Sequence, residues 1–182
     1  GILIIKRTDA SGDWWVFTDV IDGSNDYGYL NQTAAFGNSG NNVATDSVFS
    51  VGGILNTSGA TYTAYLFANN DGDGDFGPDG DADIIKCGSY TGTGAAGNFI
   101  DLGFEPQWVL TKQTDSANNW ILQDNMRSMS HSDYAWLYAD SASAGSSGPI
   151  SGGAAAAVPN GYVINNTGGG NNASGGNYIY IA

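Results

Sequence analysis

The segment Ile4-Ile5-Lys6-Arg7-Thr8-Asp9, followed by Asp13-Trp14-Trp15-Val16, has a counterpart later in the chain. The counterpart is Leu110-Thr111-Lys112-Gln113-Thr114-Asp115, followed by Asn119-Trp120-Ile121-Leu122, at a constant offset of 106 positions (110 − 4). A second pair, Asn56 to Tyr62 and Asn172 to Tyr178, lies at an offset of 116 (172 − 56). Self-similarity at a long period predicts a tandem repeat, an architecture more typical of reach or multivalency than of one catalytic pocket.

The composition predicts that both copies are built from strands. The 182 residues include 28 Gly and 12% aromatic residues, with 13% charged residues. Aromatic and β-branched residues separated by Gly and Asn are typical of short strands joined by tight turns. We predict an all-β chain of two related, β-sandwich-like units: a first repeat over residues 1–70, an acidic Asp/Gly link over residues 71–83 and a second repeat over residues 84–182.

The two predicted units differ at their beginnings. The second unit opens with a strand at Ile84 to Tyr90, and Asn98 to Leu102 is its expected hairpin partner. The first unit has no such pair before the counterpart of Trp108, so we expect it to be N-terminally incomplete.

The charge balance limits the partners of the chain. The formal net charge is −13 and only five residues are Lys or Arg. Phosphate neutralisation requires clusters of basic residues, so we expect no nucleic-acid partner. No apolar run reaches the length of a membrane span, so no membrane insertion is expected. Cys87, the single cysteine, is predicted to be a small core residue.

The acidic stretch places carboxylates at alternate positions with glycines among them. These are Asp71, Asp73, Asp75, Asp79, Asp81 and Asp83. Alternate residues of a tightly turning loop can direct six or more oxygens at a hard cation, which predicts a calcium site. Phe76 and Ala82 depart from the EF-hand pattern, which requires Gly and Glu at these places. The alternative is a solvated linker extended by self-repulsion.

Three aromatic residues are candidates for contact with glycans: Trp15, Tyr134 and Trp136. Aromatic faces can stack on sugars, although aromatic residues in hairpins more often fill a core. Trp14 and Trp120 occupy the same repeat position, so we assign these two to structure.

No pattern in the sequence predicts catalysis. Gly92 to Gly97 matches G-x-G-x-x-G, but a strand follows it where a phosphate site requires a helix N-terminus, so we interpret it as a hairpin turn. His131 lies in a polar stretch and is interpreted as an exposed loop residue. No G-x-S-x-G elbow is present. We therefore expect that the protein is not an enzyme.

Several segments occur in a fixed order along the chain: Cys87 to Gly94, Leu102 to Lys112, Trp120, Arg127 and Tyr178 to Ala182, with a similar first copy from Ile2 to Ala68. Together these segments resemble a repeat of tail-fibre and other virion structural proteins of marine bacteriophages. The chain departs from this pattern at Thr111 and Gln113, where Ile and Arg are usual. The resemblance implies a structural or host-adhesion role and no catalytic residue.

Two functions are therefore expected from the sequence. The first is a non-enzymatic module of a phage tail fibre or related virion appendage, which self-associates as a homotrimer or filament and contacts host surface glycans. The alternative is a calcium-rigidified bacterial surface adhesin or extracellular filament subunit. A secreted glycan hydrolase is a third class, and release of reducing sugar would reveal it.

Overall fold

The structure, a computed structural model, describes residues 1–39, 48–69, 77–80, 83–127, 129, 135–143 and 155–182. These residues form thirteen strands and one short 3-10 helix at Gly53–Leu55, with no α-helix among them. The predicted all-β class is confirmed. The strands are β1 (Ile2–Arg7), β2 (Trp14–Thr18), β3 (Asp26–Tyr29), β4 (Gly37–Asn38), β5 (Tyr62–Phe67), β6 (Cys87–Thr91), β7 (Asn98–Asp101), β8 (Trp108–Gln113), β9 (Ile121–Asp124), β10 (Leu137–Tyr138), β11 (Ala155–Val158), β12 (Gly161–Ile164) and β13 (Asn177–Ile181).

The strands form three antiparallel sheets. The first sheet has the order β4-β3-β2-β1-β5, the second β10-β9-β8-β13-β6 and the third β11-β12-β7. The first sheet is built from residues of the first repeat, and the other two from the second. No described helix has the length and apolar character that a membrane crossing requires.

The strand register follows the repeat offsets. Ile4 pairs with Val16 in the first sheet, and Leu110 pairs with Leu122 in the second, each 106 positions later. The pairing of β1 with β5 also recurs as the pairing of β8 with β13. Ile4 pairs with Tyr65, and Leu110, 106 positions after Ile4, pairs with Ile181, 116 positions after Tyr65. The two sheets therefore share one pairing scheme, while the predicted domain boundaries stay a prediction.

The sheets stack in three layers because alternate residues of a strand point to opposite faces. In β1, Ile2 and Ile4 face the second sheet, and Leu3 and Ile5 face an outer cluster with Leu55. In β13, Ile179 and Ile181 face the first sheet, and Tyr180 faces the third. The central strand β13 is consequently buried on both faces from Tyr178 to Ile181.

The core between the first two sheets is shared by both repeats. Its buried members are Ile2, Ile4, Val16, Cys87, Leu110, Trp120, Ile179 and Ile181. Hydrogen bonds cross it at the edge: Trp120 Nε1 donates to the carbonyl of Tyr29 at 2.7 Å, and the amide of Phe36 donates to the carbonyl of Thr114 at 2.8 Å. Within the described residues, the inner face of the first sheet is thus covered by the second repeat. Cys87 is 1% exposed, which confirms the prediction of a core residue.

The predicted hairpin of β6 with β7 is wrong. β6 pairs with β13 and β7 with β12, so the glycine-rich segment from Gly92 to Gly97 carries the chain between two sheets and is not a hairpin turn. β6 fits beside β13 because Gly88 leaves room for the ring of Tyr180, whose Oη would lie 2.5 Å from an added Cβ. A cross-strand partner from the far end of the sequence therefore replaces the nearest one.

Asn172 holds this sheet-to-sheet loop in shape. Its fully buried side chain accepts from the amide of Thr93 at 2.9 Å and from Asn98 Nδ2 at 3.0 Å, and it donates to the carbonyls of Ala95 and Asn166. The inside of the glycine-rich loop is thus filled by an amide of the protein itself, which satisfies backbone groups that would otherwise be buried without partners.

Asp26 provides a test of how this fold tolerates buried charge. Its side chain is 8% exposed, and its Oδ2 has no hydrogen-bond partner among the described residues. Burial, and then the charge of Asp22, raise the pKa of the Asp26 carboxyl. A raised carboxyl pKa means that the folded chain loses stability as pH rises through that pKa. We expect Asp26→Asn to stabilise the chain at pH 7 by about 1 kcal/mol, because an uncharged amide costs less to bury.

The measurement is urea unfolding at pH 7 and at pH 3, where the gain should disappear. Asp22→Asn is the matched control. The Asp22 carboxylate accepts from both the amide and the hydroxyl of Ser24, bonds that lower its pKa, so this variant should lose stability at pH 7. Destabilisation by Asp26→Asn would show that a cation or another partner holds that carboxylate.

Candidate functional site

An aromatic surface lies on the outer face of the first sheet. Trp15 pairs with Tyr29 and Phe17 pairs with Tyr27 across β2 and β3. The ring centroids of Trp15 lie 4.6 Å from Tyr29 and 5.7 Å from Tyr27, and the two tyrosine rings are 6.0 Å apart, nearly perpendicular. Trp15, Tyr27 and Tyr29 are each half-buried. We call these three residues the aromatic face.

The alternating sequence of β2 and β3 produces this face. Trp15 and Phe17 point outward while Val16 is fully buried in the shared core. In β3, Tyr27 and Tyr29 point outward, and Gly28 between them lies under Phe36, whose Cε2 would be 2.5 Å from an added Cβ. Gly28 therefore allows Phe36 to close the inner side while the tyrosines stay on the outer side.

A group of polar side chains borders the aromatic face. Asp13 Oδ1 accepts from Asn31 Nδ2 at 3.0 Å and from Gln32 Nε2 at 2.8 Å, and Asn31 Oδ1 accepts from the amide of Trp14. No hydrogen bond within the described part of the chain uses Asp13 Oδ2. Burial raises the pKa of the Tyr29 hydroxyl, and the fields of Tyr27 and Asp13 raise it further.

This arrangement is better suited to binding a sugar than to catalysing a reaction. Partly exposed aromatic rings can stack on the apolar face of a pyranose, and planar amides and a carboxylate can exchange hydrogen bonds with its hydroxyls. The described polar groups are already held by one another, which fixes their positions before a ligand arrives and lowers the entropy cost of binding.

The other predicted glycan contacts lie elsewhere. Trp136 precedes β10 in the second sheet, and its ring contacts Tyr138 at 6.4 Å. Its Nε1 is buried without a hydrogen-bond partner among the described residues. The ring contacts of Trp15 all involve residues of the first sheet, so the described contacts do not join the two tryptophans. Tyr134 lies outside the described residues.

The predicted calcium site falls largely outside the described residues. Asp71, Asp73, Asp75 and Asp81 are not among them, nor is His131. Asp79 is exposed in a turn between Gly77 and Gly80, both of which have positive φ, and Asp83 is half-buried. In the described ranges, no three His, Cys, Asp or Glu side chains group as a metal site. The calcium site therefore stays a prediction, which a calorimetric titration with Ca²⁺ can test.

Sequence reasoning missed a buried lysine. Lys112 is fully buried, and its Nζ donates to three backbone carbonyls: Thr33 at 3.2 Å, Gln113 at 2.6 Å and Ser116 at 3.5 Å. Because Thr33 belongs to the first repeat, this ammonium ties the two repeats together. Its counterpart Lys6 is half-buried and donates to Gly12 alone among the described contacts. The repeat offset was the only sequence signal for Lys112, and it indicated that Lys6 and Lys112 have equivalent environments, which they do not.

Lys112 leads to a prediction about pH. Burial lowers the pKa of Lys112 to about 8, against the opposing fields of Asp140 and Asp115. Between this pKa and the ordinary value of 10.5, the unfolded chain binds the proton that the folded chain has lost. The stability of the wild type relative to Lys112→Met should therefore rise with pH across that window.

The free energy of urea unfolding of both chains, measured at steps from pH 7 to 10.5, checks this prediction. Lys6→Met is the control for the loss of one positive charge at the same repeat position. If the difference in free energy of unfolding between the wild type and Lys112→Met does not change with pH, the three carbonyls compensate fully for the burial of the ammonium.

Comparison with known proteins places the chain in one family. A family model described as a domain of unknown function, DUF7483, matches residues 1–182. No curated protein and no solved structure matched the chain.

Proposed function

This chain belongs to the DUF7483 family along residues 1–182, and we propose that it is a non-enzymatic adhesion module of a phage tail fibre or related virion appendage. In this role it contacts host surface glycans and associates with further copies of itself outside the cell. The resemblance of its repeat to virion structural proteins supports the setting, and the geometry of the first sheet supports the contact.

The aromatic face is the observation that carries the proposal. Three partly exposed rings lie together on one sheet, next to Asp13, Asn31 and Gln32, which are held in place by one another. Sites on strands hold their geometry more closely than sites on loops, which suits repeated, weak recognition of a polymer.

The shared core supports the adhesion role because it attaches the first sheet firmly to the second repeat. The first sheet is held to the second repeat by packed side chains and by the hydrogen bonds of Trp120, Phe36 and Lys112. These contacts hold the first sheet, and the aromatic face on it, in a fixed position relative to the second repeat.

A glycan array probed with the labelled chain tests the proposal. We expect binding to a subset of host-surface polysaccharides, and a loss of affinity of about tenfold for Trp15→Ala and for Tyr29→Ala, since one lost aromatic contact is worth about 1.4 kcal/mol. Tyr65→Ala is the control for the loss of an accessible ring, because Tyr65 is 48% exposed and lies on the opposite face of the same sheet.

The same samples test the absence of catalysis. Bound polysaccharides are incubated with the chain and assayed for new reducing ends, which we expect to stay at the level of a protein-free sample. Release of reducing sugar that Trp15→Ala abolishes would replace the proposed module with a glycan hydrolase. An array without any ligand would contradict the adhesion role.

A further inference from the structure

We propose that the second repeat carries a second sugar-binding surface, at the position equivalent to the aromatic face and weaker than it. The rings of this surface are Trp136 and Tyr138, and its polar groups are Asn119 and Asp140. We call these four residues the second face. The inference rests on the proposed function and deepens it, because a chain with two faces holds two segments of an uncharged glycan.

The strand pairing places the second face where the aromatic face lies in the first repeat. Trp15 pairs with Tyr29 in the first sheet. Ile121, which is 106 positions after Trp15, pairs with Tyr138 in the second sheet. Tyr138 therefore occupies the place of Tyr29, at an offset of 109 (138 − 29) along the chain.

The two rings on each of these strands are also arranged alike. Tyr27 precedes Tyr29 by two positions, and Trp136 precedes Tyr138 by two, so the rings of each pair point to the same side of their sheet. The centroids of Tyr27 and Tyr29 are 6.0 Å apart with an interplanar angle of 83°. Those of Trp136 and Tyr138 are 6.4 Å apart at 65°, again an edge-to-face contact. The ring pair is thus conserved in geometry although one member differs.

The polar border of the aromatic face recurs with the acid and the amide exchanged. In the first repeat, Asn31 accepts from the backbone amide that follows Asp13, at 2.9 Å, and donates to the Asp13 carboxylate at 3.0 Å. In the second repeat, Asp140 accepts from the backbone amide that follows Asn119, at 3.0 Å, and from the Asn119 side chain at 3.1 Å. Both repeats therefore hold a carboxylate and a carboxamide beside the two rings, and such groups can exchange hydrogen bonds with sugar hydroxyls.

The two faces point in opposite directions. A row of cross-strand pairs joins Tyr138 to Tyr180, which packs on the third sheet, and partners in such a row lie on one side of a sheet. Tyr138 is therefore turned away from the first sheet, whereas Trp15 is turned away from the second. Trp136 and Tyr138 are each half-buried, so solvent reaches both residues. Each face consequently takes a separate glycan segment.

The second face has fewer rings than the aromatic face. Ile121 stands where the first repeat has Trp15, and it is 9% exposed. Gly170 covers it closely, since an added Cβ on Gly170 would lie 3.0 Å from Ile121 Cδ1. The second face thus offers two rings in place of three. One aromatic contact corresponds to about a tenfold change in affinity, so we expect dissociation constants about tenfold apart.

The charge of the two faces defines the class of glycan. Each face has one carboxylate at its border, Asp13 or Asp140, in a chain of net charge −13, so an anionic sugar would be repelled. The ammonium of Lys112 is buried on the other side of the second sheet, where its partner in β13 faces the shared core. Asp13 Oδ2 and Asn119 Oδ1 accept no hydrogen bond within the described part of the chain, and both suit a hydroxyl donor. The glycan is therefore uncharged.

A calorimetric titration counts the sites. The probe is a short oligosaccharide, cut from the polysaccharide that the glycan array selects. The full chain should bind two equivalents, with dissociation constants about tenfold apart. Trp136→Ala should weaken the second equivalent alone, by at least about tenfold. Trp136→Tyr should keep both equivalents, because Tyr27 occupies this place in the first repeat. Phe99→Ala is the control, since Phe99 is a ring of the second repeat that is 49% exposed on the third sheet.

Trp15→Ala distinguishes the two faces, because it should weaken the stronger equivalent until both bind with similar affinity. A wild type that binds one equivalent would overturn the second face, as would a weaker equivalent that Trp136→Ala leaves unchanged. Weakening by Trp15→Ala would in both cases leave the adhesion role in place. A wild type that binds no oligosaccharide would overturn the second face and the adhesion role together. Thermal melting confirms that each variant folds, and Tyr138→Ala replaces Trp136→Ala should the latter fail to fold.

Discussion

Replacing Trp120 with alanine is expected to lower the free energy of unfolding by about 3–5 kcal/mol, the range for removing a large buried aromatic side chain. Trp120 is 1% exposed in the core shared by both repeats, and its ring lies 6.1 Å from that of Phe36. Its Nε1 also donates to the carbonyl of Tyr29 at 2.7 Å, so the substitution leaves a backbone acceptor without its partner.

Trp14→Ala is the control, since Trp14 occupies the same repeat position as Trp120. Trp14 is half-buried and stacks on Tyr65 with centroids 6.3 Å apart. We expect it to cost about 1–2 kcal/mol, because much of its surface already meets solvent. Guanidinium unfolding followed by circular dichroism measures both. Equal costs for the two variants would contradict an asymmetric shared core in which Trp120 is the buried member.

Gly161→Ala is expected to cost about 3 kcal/mol or more, the upper range for overpacking a core. Gly161 pairs with Asp101 where β12 meets β7. An added Cβ would overlap the carbonyl oxygen of Ile100 and lie 3.2 Å from the amide of Leu102. These are backbone atoms, which cannot rotate away, so the two strands must separate, and the adjacent Tyr162 must shift from its contact with Tyr180 of the second sheet.

Gly169→Ala is the control for this variant. An added Cβ at Gly169 meets no atom within 4 Å, and its φ lies outside the left-handed region. It should change stability by no more than about 0.5 kcal/mol, as other surface substitutions do. The same unfolding measurement compares the two. A Gly161→Ala chain as stable as the Gly169→Ala chain would show that β7 and β12 are not packed as closely as described.

The offset found between the two copies in the sequence recurs in the strand pairing, because register is fixed by which residues must be buried. The offset that joins Ile4 to Leu110 also joins their cross-strand partners Val16 and Leu122. A strand shifted by one residue would turn its whole apolar set toward solvent. The same alternation turns Trp15 outward, since its neighbour Val16 is buried in the shared core.

The layering could not be read from the sequence in the same way. Which sheet covers another depends on contacts between residues far apart, such as Trp120 with Tyr29, and the repeat made both copies look self-contained. The burial of Lys112 was missed for the same reason. In the sequence Lys112 is equivalent to Lys6, and only the structure shows that its Nζ donates to the carbonyl of Thr33 in the other repeat. The pairing of β6 with β13 was missed because short sequence separation favours a hairpin, whereas Gly88 fits under Tyr180.

The candidate site was predicted in part. Trp15 was singled out by its residue type, but Tyr27, Tyr29 and Asp13 were not, since they converge with it only through the pairing of β2 with β3. A tryptophan alone does not distinguish a core residue from a residue of a binding surface, and the partly exposed tyrosines beside Trp15 become visible only in the structure.

The most direct test of the adhesion role is a calorimetric titration of the intact chain with the purified polysaccharide that the array selects. We predict saturable binding by the wild type and by Tyr65→Ala, and affinity at least about tenfold weaker for Trp15→Ala, with thermal melting confirming that each variant is folded at the temperature of the titration. Equal affinity of Trp15→Ala and the wild type would contradict the account, because the aromatic face would then take no part in recognition.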